Sequence, residues 1–295
     1  MIVITAPTGA IGSRVVRNLL AVGQDVRLIV RSAARLDDAI RGAVDLVEGS
    51  HGDPGVLDTA LDGASALFWV VPPNPTASSV EEAYTGFSMP AIKAMADGKV
   101  GRVVGVSALG RGNPRAASAG NVTATLALDD RIEATGVDYR ALTMPSFMDN
   151  IKRQVQLIKD RGIFTSPIPG DYAMPMCSTD DVAAVAARVL TDESWDGTGE
   201  VPILGPADLS FDNMAEIISD VLGKAVTFRQ VSGQGFYERM TSIGMSGAMA
   251  NALLDMAIAK ADGLDQTVQR TPEASSPTTF REWCETDLKP SLAPR

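Results

Sequence analysis

Short apolar segments alternate with amphipathic ones throughout the first half of the chain. The apolar segments have the length and composition of strands, and they occupy residues 2–5, 26–30, 44–47, 66–71, 102–107 and 138–144. The segments between them repeat apolar residues at helical spacing. Apolar strands that are separated by helices form parallel sheets covered on both faces. Because such crossovers are right-handed, the sequence predicts an α/β fold with a doubly wound, Rossmann-like parallel sheet.

The second half of the chain has a different character. We expect a boundary near residue 150, between a nucleotide-binding domain over residues 1–150 and a smaller C-terminal α/β lobe over residues 151–295. Ser178 or Thr179 is a suitable cap for a helix, and the strand-like segment EVPILG follows it. Residues from about 175 to 205 are therefore expected to pack back on the main sheet. Residues 236–262 are predicted to be helical and are rich in methionine.

The loop after the first strand, APTGAIG, opens the first helix. Gly9 would let a pyrophosphate approach the backbone, and Gly12 would let the helix pack closely on the strand. Free N–H groups of the first helical turn would then face the phosphates. Ala6 stands where a third glycine is usual. Its Cβ is tolerable if φ is negative, so we expect nucleotide binding to survive the replacement.

The end of the second strand distinguishes the two nicotinamide dinucleotides. A site for NAD has Asp or Glu there, which binds the ribose hydroxyl groups. This chain instead has Arg31, followed by Ser32 and, one turn later, Arg35. Guanidinium groups suit the 2′-phosphate of the other dinucleotide. The sequence therefore predicts NADP(H) as the cofactor.

The composition excludes several classes of protein. A net charge of −10 and a pI of about 4.7 disfavour a nucleic-acid partner. No apolar run approaches the roughly 20 residues that span a membrane, and no signal peptide is expected. Two distant cysteines, Cys177 and Cys284, indicate a reducing cytoplasm, and the single histidine, His51, leaves no zinc cluster. We expect a cytoplasmic protein without a metal, for which a homodimer is the default assembly.

Taken together, these motifs resemble the NmrA-like group of atypical short-chain dehydrogenases/reductases. The resemblance extends to about Trp283 and rests on the segments APTGAIG, VRLIVRS, VEGSHGDPGVLDTALDG, ALFWVVPP, VVGVSALG, GVDYRALTMPSFMDN and STDDVAAVAARVL. It implies an NADP-binding Rossmann domain with a small C-terminal lobe. By position, it implies cofactor contacts at Thr8, Gly9, Ala10, Ile11, Gly12, Arg31, Arg35, His51, Val71, Pro72, Ser107, Ala108, Pro145 and Phe147.

Some positions depart from the pattern of this group. Ala6 replaces a glycine, and Ser50 stands where Gly-Asp is usual after the third strand. Thr143, Met144 and Pro145 replace a common Arg-Pro-Gly, which reshapes the nicotinamide pocket that the resemblance implies. In the same motif Asn150 matches the asparagine of the group.

The chain lacks the Tyr-x-x-x-Lys pair with which ordinary short-chain dehydrogenases transfer a proton. None of its tyrosines, Tyr84, Tyr139, Tyr172 and Tyr237, has a lysine four residues on. Ser107, at the end of the fifth strand, and Tyr84 and Tyr237 are weak candidates for a catalytic role, whereas Tyr139 is expected in the core. The candidate residues for an apolar substrate pocket are Trp69, Phe147, Met148, Asn150, Phe236 and Met240, although methionines of the second lobe could equally fill its core.

The sequence predicts an NADPH-dependent reductase of a small-molecule substrate. The acceptor would be a small conjugated or aromatic compound of the quinone, enone, imine or azo type, to which the cofactor transfers hydride. Two alternatives stay open at this point. One is a non-catalytic regulator that senses NADP and binds a protein partner. The other is a non-redox cyclase or isomerase on the same fold.

Overall fold

The computed structural model describes residues 1–292 and is built around a seven-stranded sheet. The sheet has the order β3-β2-β1-β4-β5-β6-β10 and every pairing in it is parallel, which confirms the predicted doubly wound, Rossmann-like fold. The strands of the molecule are β1 (Ile2–Ile4), β2 (Val26–Val30), β3 (Asp45–Glu48), β4 (Ala66–Trp69), β5 (Arg102–Ala108), β6 (Asp138–Met144), β7 (Ser146–Phe147), β8 (Ile163–Ser166), β9 (Met174–Cys177), β10 (Thr198–Pro202), β11 (Asp208–Leu209) and β12 (Thr227–Gln230).

Helices cover both faces of this sheet. They are α1 (Ala10–Ala21), α2 (Asp38–Arg41), α3 (Pro54–Leu61), α4 (Phe87–Ala96), α5 (Asn121–Glu133), α6 (Asp149–Lys152), α7 (Val155–Arg161), α8 (Thr179–Thr191), α9 (Phe211–Leu222), α10 (Gly233–Ser242), α11 (Gly247–Ala261), α12 (Phe280–Trp283) and α13 (Lys289–Leu292). One apolar core lies under α1 and α8, and another lies under α3, α4 and α5. Among the described residues, no helix is long and apolar enough to cross a membrane.

The order of the strands reverses between β1 and β4. The chain runs outward from β1 to β3 on one side of this point and from β4 to β6 on the other. The hydroxyl of Thr5 donates to the carbonyl of Phe68 and accepts from the N–H of Val70, each at 2.9 Å. These bonds join the carboxyl ends of β1 and β4. Ligands of open α/β sheets bind in the crevice outside this point of reversal.

Residues beyond 150 contribute to two cores. β10 pairs with β6 in the main sheet, and α8 packs against α1. The other elements of this half surround a separate core in which the rings of Phe164, Phe211 and Phe228 contact one another. The division of the chain near residue 150 stays a prediction.

Several local details were not predicted. Helical structure runs without a break over residues 80–96, and it includes a π-helical turn, Glu82–Gly86, before α4. Residues 236–262 form two helices, because the chain turns at Gly244 with φ of +93°. Between residues 146 and 177 the elements α6, α7, β7, β8 and β9 were not predicted. Each is too short to show a periodic pattern.

Ala6 has a left-handed backbone conformation. Its φ is +48°, and no other non-glycine residue between 1 and 292 has a positive φ, so the negative φ that we expected is wrong. The carbonyl of Ala6 accepts the N–H of Gly9 at 3.0 Å, and a Cβ on Gly12 would overlap that same carbonyl oxygen. Ala6 is therefore strained in a turn for which glycine is better suited.

Replacing Ala6 with glycine should stabilise the protein. The variant Ala6→Gly removes the cost of a left-handed alanine, which exceeds the entropy cost of glycine, so we expect the free energy of unfolding to rise by about 0.5–1 kcal/mol. In contrast, Gly12→Ala should lower it by about 1–3 kcal/mol, because its methyl group has no room. Urea unfolding of both variants measures the two changes. Destabilisation by Ala6→Gly would contradict this account.

Candidate active site

The loop between β1 and α1 presents backbone N–H groups at the crevice. No side chain within residues 1–292 caps the start of α1, and its first turn has no acidic residue. Thr8, Gly9 and Ala10 are exposed, whereas Ile11 and Gly12 are buried against the sheet. An uncapped helix N-terminus has unpaired N–H groups and a partial positive charge. The predicted loop can therefore receive a phosphate group.

Two exposed guanidinium groups follow β2. Arg31 comes directly after Val30, and Arg35 lies in the short 3-10 turn Ala33–Arg35. Glu48, at the end of β3, accepts a hydrogen bond from the N–H of Ala33 at 2.5 Å, which holds this carboxylate on the backbone of the turn. Ser32, which lies between the two arginines in sequence, is half-buried. The tip of β2 therefore has the positive charge that a 2′-phosphate requires.

His51 lies in an aromatic cluster beside this tip. Its ring packs edge-on against Trp69 and Phe87, with centroid distances of 5.2 and 5.0 Å. The Nε2 atom is 3.1 Å from the carbonyl oxygen of Val70, which can only accept, so Nε2 carries the proton. Burial lowers the pKa of His51 to about 4, and the positive charge of Arg31 acts in the same direction. His51 is therefore neutral at physiological pH.

The carboxyl ends of β4, β5 and β6 line one edge of the sheet. The N–H of Leu109 donates to the carbonyl of Met144 at 3.2 Å, which joins the loops after β5 and β6. Thr143 and Met144, in which the chain departs from the expected Arg-Pro-Gly, are both buried. The predicted contact residues at this edge are Val71, Pro72, Ser107, Ala108, Pro145 and Phe147.

Two residues predicted as walls of the substrate pocket lie in apolar cores instead. Trp69 packs in the aromatic cluster of His51, and Met148 packs in the core of the C-terminal half, each with 2% of its surface exposed. Asn150 in α6 and Phe236 and Met240 in α10 are half-buried. These last three keep surface that a ligand can reach.

The connection between α10 and α11 closes on the segment that follows β4. The N–H of Ser246 donates to the carbonyl of Pro75 at 2.9 Å, and its hydroxyl donates to the carbonyl of Ala77 at 2.6 Å. Tyr84 packs in the same apolar cluster as Met249. Burial raises the pKa of Tyr84, which makes it a weaker acid. Tyr237 in α10 is half-buried.

Ser107 belongs to a buried polar cluster with Asp129 and Tyr139. The hydroxyl of Ser107 donates to Oδ2 of Asp129, and the hydroxyl of Tyr139 donates to Oδ1 at 2.6 Å. Burial raises the pKa of Asp129 to about 6, although both hydrogen bonds and the charge of Arg111 oppose this rise. The cluster therefore contains a carboxyl group that can exchange a proton near neutral pH.

Our prediction of the site omitted Asp129, Phe87 and Arg111. Asp129 lies in α5 at three residues from Leu126 and from Ile132, both of which are buried. An acidic residue on the apolar face of a helix was the signal that could have identified it. Phe87 and Arg111 have no comparable signal, because they reach the site through a helix start and a loop.

This geometry defines a dinucleotide-binding protein. A glycine-lined loop opens an uncapped helix at the point where the strand order reverses, and arginines follow the second strand. Residues 7–193 match the family described as NAD(P)H-binding, which is more than half of the chain. The chain belongs to this NAD(P)H-binding family, and the predicted class of cofactor is confirmed.

Individual relatives agree with this assignment. The chain is 26% identical over 286 residues to the NAD(P)H azoreductase of Xenophilus azovorans, with 96% of each protein covered. It is 24% identical over 272 residues to quinone oxidoreductase 2 of Escherichia coli, with 89% of each covered. The fold is similar to that of the triphenylmethane reductase of Citrobacter sp. complexed with NADP(H), with a TM-score of 0.80, 19% identity and coverage of 99% and 100%.

The buried histidine should make the protein sensitive to acid. Because the folded pKa of about 4 is below the ordinary value of 6.5, the unfolded chain takes up the proton first as the pH falls. The stability contributed by neutral His51 is complete above pH 6.5 and is lost progressively towards pH 4, by about 3 kcal/mol in total.

The variant His51→Gln does not titrate and is the control for this prediction. Its free energy of unfolding should fall less between pH 7 and pH 4.5 than that of the wild type, because carboxyl groups titrate equally in both proteins. Since His51 is the single histidine, its imidazole NMR signal can be followed directly. A pKa of 6.5 or above in the folded protein would contradict the account.

Proposed function

We propose that this protein is an NADPH-dependent reductase that passes hydride to a small conjugated or aromatic acceptor. The observation that carries the proposal is the exposed, uncapped start of α1 at the reversal point, together with Arg31 at the tip of β2. The relatives named as an azoreductase and a quinone oxidoreductase support an acceptor of the azo or quinone class.

The chain's residues fit the cofactor along the carboxyl edge of the sheet. The pyrophosphate would accept hydrogen bonds from the first-turn N–H groups of Ala10, Ile11 and Gly12. A Cβ on Gly12 would overlap the carbonyl oxygen of Ala6, so the shape of the loop depends on close backbone contact. This feature of the loop supports the proposed placement of the pyrophosphate. Arg31 and Arg35 would bind the 2′-phosphate, with Ser32 beside them. Thr8 would lie at the exposed rim of the loop.

The two ends of the cofactor would meet different surfaces. His51, Val71 and Pro72 would border the adenine, where neutral His51 adds no charge that opposes Arg31. At the other end, the candidate nicotinamide contacts are Ser107, Ala108, Pro145 and Phe147. When bound, the nicotinamide supplies the hydride. The protein's part is to orient the acceptor and to exclude water.

The acceptor would bind between the edge of the sheet and the α10–α11 pair. The half-buried side chains of Tyr84, Phe236, Tyr237, Met240 and Asn150 offer a largely apolar surface. Methionine and aromatic side chains adapt to flat ligands. An acceptor that is already activated does not depend on the acidic tyrosine of a Tyr-x-x-x-Lys pair, which is consistent with a chain that lacks this pair.

Location and assembly are part of the proposal. Cys177 and Cys284 are both free and buried, and burial raises the pKa of each thiol. Free cysteines of this kind support a reducing, cytoplasmic location. A homodimer is the proposed assembly, since two-fold dimers are the commonest soluble oligomers.

Reversing the charge of Arg31 should weaken the binding of NADPH much more than the binding of NADH. In Arg31→Glu we expect the Kd for NADPH to rise roughly 10- to 100-fold, because a charge-assisted bond to the 2′-phosphate is replaced by repulsion. The Kd for NADH should change little. Arg188→Glu is the matched control, because Arg188 is exposed in the last turn of α8, at the opposite edge of the sheet. Equal losses for both cofactors would contradict the assignment to NADPH.

The reductase itself is tested with a panel of acceptors. Purified protein should oxidise NADPH when a benzoquinone or an azo dye is present, with one acceptor molecule reduced for each NADPH used in the two-electron quinone reaction. The absorbance of the reduced nicotinamide gives the rate. Tight binding of NADPH without turnover on any quinone, enone, imine or azo compound would instead favour a sensor.

A further inference from the structure

Asp129 is a buried acid that the proposed cofactor contacts do not use. It lies on the face of α5 that packs on β5 and β6, with 2% of its surface exposed. Ser107 reaches it from β5 and Tyr139 reaches it from β6. Burial of a carboxyl group costs free energy. Its position beneath the strand ends of the candidate active site therefore needs a chemical explanation.

The two oxygens of Asp129 have different partners. Oδ1 accepts from the hydroxyl of Tyr139, and burial beside Asp129 raises the pKa of this tyrosine well above its ordinary value. Tyr139 therefore keeps its proton and occupies Oδ1. A proton bound by the carboxyl group must then be on Oδ2, the oxygen that faces Ser107.

Asp129 has a cation nearby, Arg111, and it shares that cation with two other carboxylates. Nη2 of Arg111 is 4.0 Å from Oδ2. The same guanidinium group binds Asp130 at 2.7 Å and Glu200 at 2.8 Å, so its charge is shared. Glu133, one turn along α5, adds a negative charge that favours the protonated form. Tyr139, Arg111 and Glu133 are the charged or titratable groups that shift the pKa of this carboxyl group, together with Ser107 as a neutral donor.

Resting on the proposed function, we infer that Asp129 stores the proton for the reduction and delivers it through the hydroxyl of Ser107. When Asp129 is ionised, the single hydroxyl proton of Ser107 points inward to Oδ2. When Oδ2 is protonated, it donates to Ser107, and the hydroxyl proton of Ser107 is free to turn towards the crevice. Ser107 is then the catalytic residue, and Asp129 is the residue that positions and recharges it.

The step balances for a quinone acceptor. Hydride, supplied by NADPH as it is oxidised to NADP⁺, forms a bond to the acceptor, and the displaced electron pair moves onto an acceptor oxygen. That oxygen takes the proton of Ser107, while Ser107 takes the proton from Oδ2 of Asp129. The resulting carboxylate is protonated again from solvent before the next turnover.

Three variants test this inference. Asp129→Asn keeps the shape of the side chain but cannot titrate. Ser107→Ala keeps the acid but removes the hydroxyl group that relays its proton. Asp220→Asn is the matched control, because it is the same substitution in a helix, at a side chain that is 66% exposed and pairs with Arg281 rather than with Arg111. Thermal unfolding and the Kd for NADPH establish that each variant is folded and binds cofactor.

The first readout needs neither cofactor nor turnover. Difference infrared spectroscopy of the protein alone should show the carbonyl stretch of a protonated carboxyl group that disappears around pH 6. The band should be absent in Asp129→Asn and present in Asp220→Asn. It should persist in Ser107→Ala with a higher pKa, because a donor to the carboxylate is lost.

The second readout is the pH profile of kcat with a benzoquinone. In the wild type and in Asp220→Asn, kcat should fall about tenfold per pH unit above pH 6. In Asp129→Asn and Ser107→Ala, kcat should be lower by roughly 100-fold at pH 6 and should be independent of pH. In Asp129→Asn, whose side chain is not a proposed cofactor contact, the KM for NADPH should not change.

The outcomes distinguish the relay from the reductase. If the wild type reduces quinones but Asp129→Asn keeps the wild-type profile, the relay is wrong and the proposed function stands. If Ser107→Ala keeps that profile although its carboxyl band titrates, Ser107 is not the donor and the relay is wrong. If no acceptor is reduced by the wild type, the proposed function is wrong and the relay falls with it.

Discussion

The contact between Gly12 and the carbonyl of Ala6 is the constraint on which the site depends. A side chain at residue 12 would overlap this oxygen, so α1 can begin where it does only because Gly12 lacks a Cβ. The same carbonyl accepts the N–H of Gly9, and Ala6 itself has a left-handed backbone conformation. The start of α1 is thereby aimed at the crevice between β1 and β4, while α8 packs on α1 and closes that face of the sheet.

On the opposite face, two buried titratable groups lie beneath the two ends of the candidate site. His51 is held neutral by burial among Trp69 and Phe87, close to the tip of β2. Asp129 is shifted towards its neutral form beneath the end of β5. In both cases desolvation is the largest cause, and hydrogen bonds only reduce it. The sheet therefore avoids buried net charge at neutral pH near the arginines, and has a proton available at the other end.

The sequence predicts well those features that repeat at a regular spacing and those that stand in a fixed place relative to a strand or helix. The alternating segments predict the parallel sheet, and the position of Gly9 and Gly12 after a strand predicts the loop. The sign of φ at Ala6 was not predictable, because alanine rarely adopts a positive φ and no residue pattern marks this exception. The same holds for Trp69, whose place depends on the partners His51 and Phe87. The buried position of Asp129 could have been predicted from the sequence, since an acid on an apolar helix face is unusual.

The most direct test of the central claim, that one edge of the sheet holds NADPH with its reactive end at Ser107, is a crystal structure of the complex. We expect the pyrophosphate within hydrogen-bond distance of the N–H groups of residues 10–12, the 2′-phosphate at Arg31, and the nicotinamide ring beside Ser107. A 2′-phosphate turned away from Arg31, or a nicotinamide ring placed far from the ends of β5 and β6, would contradict the account.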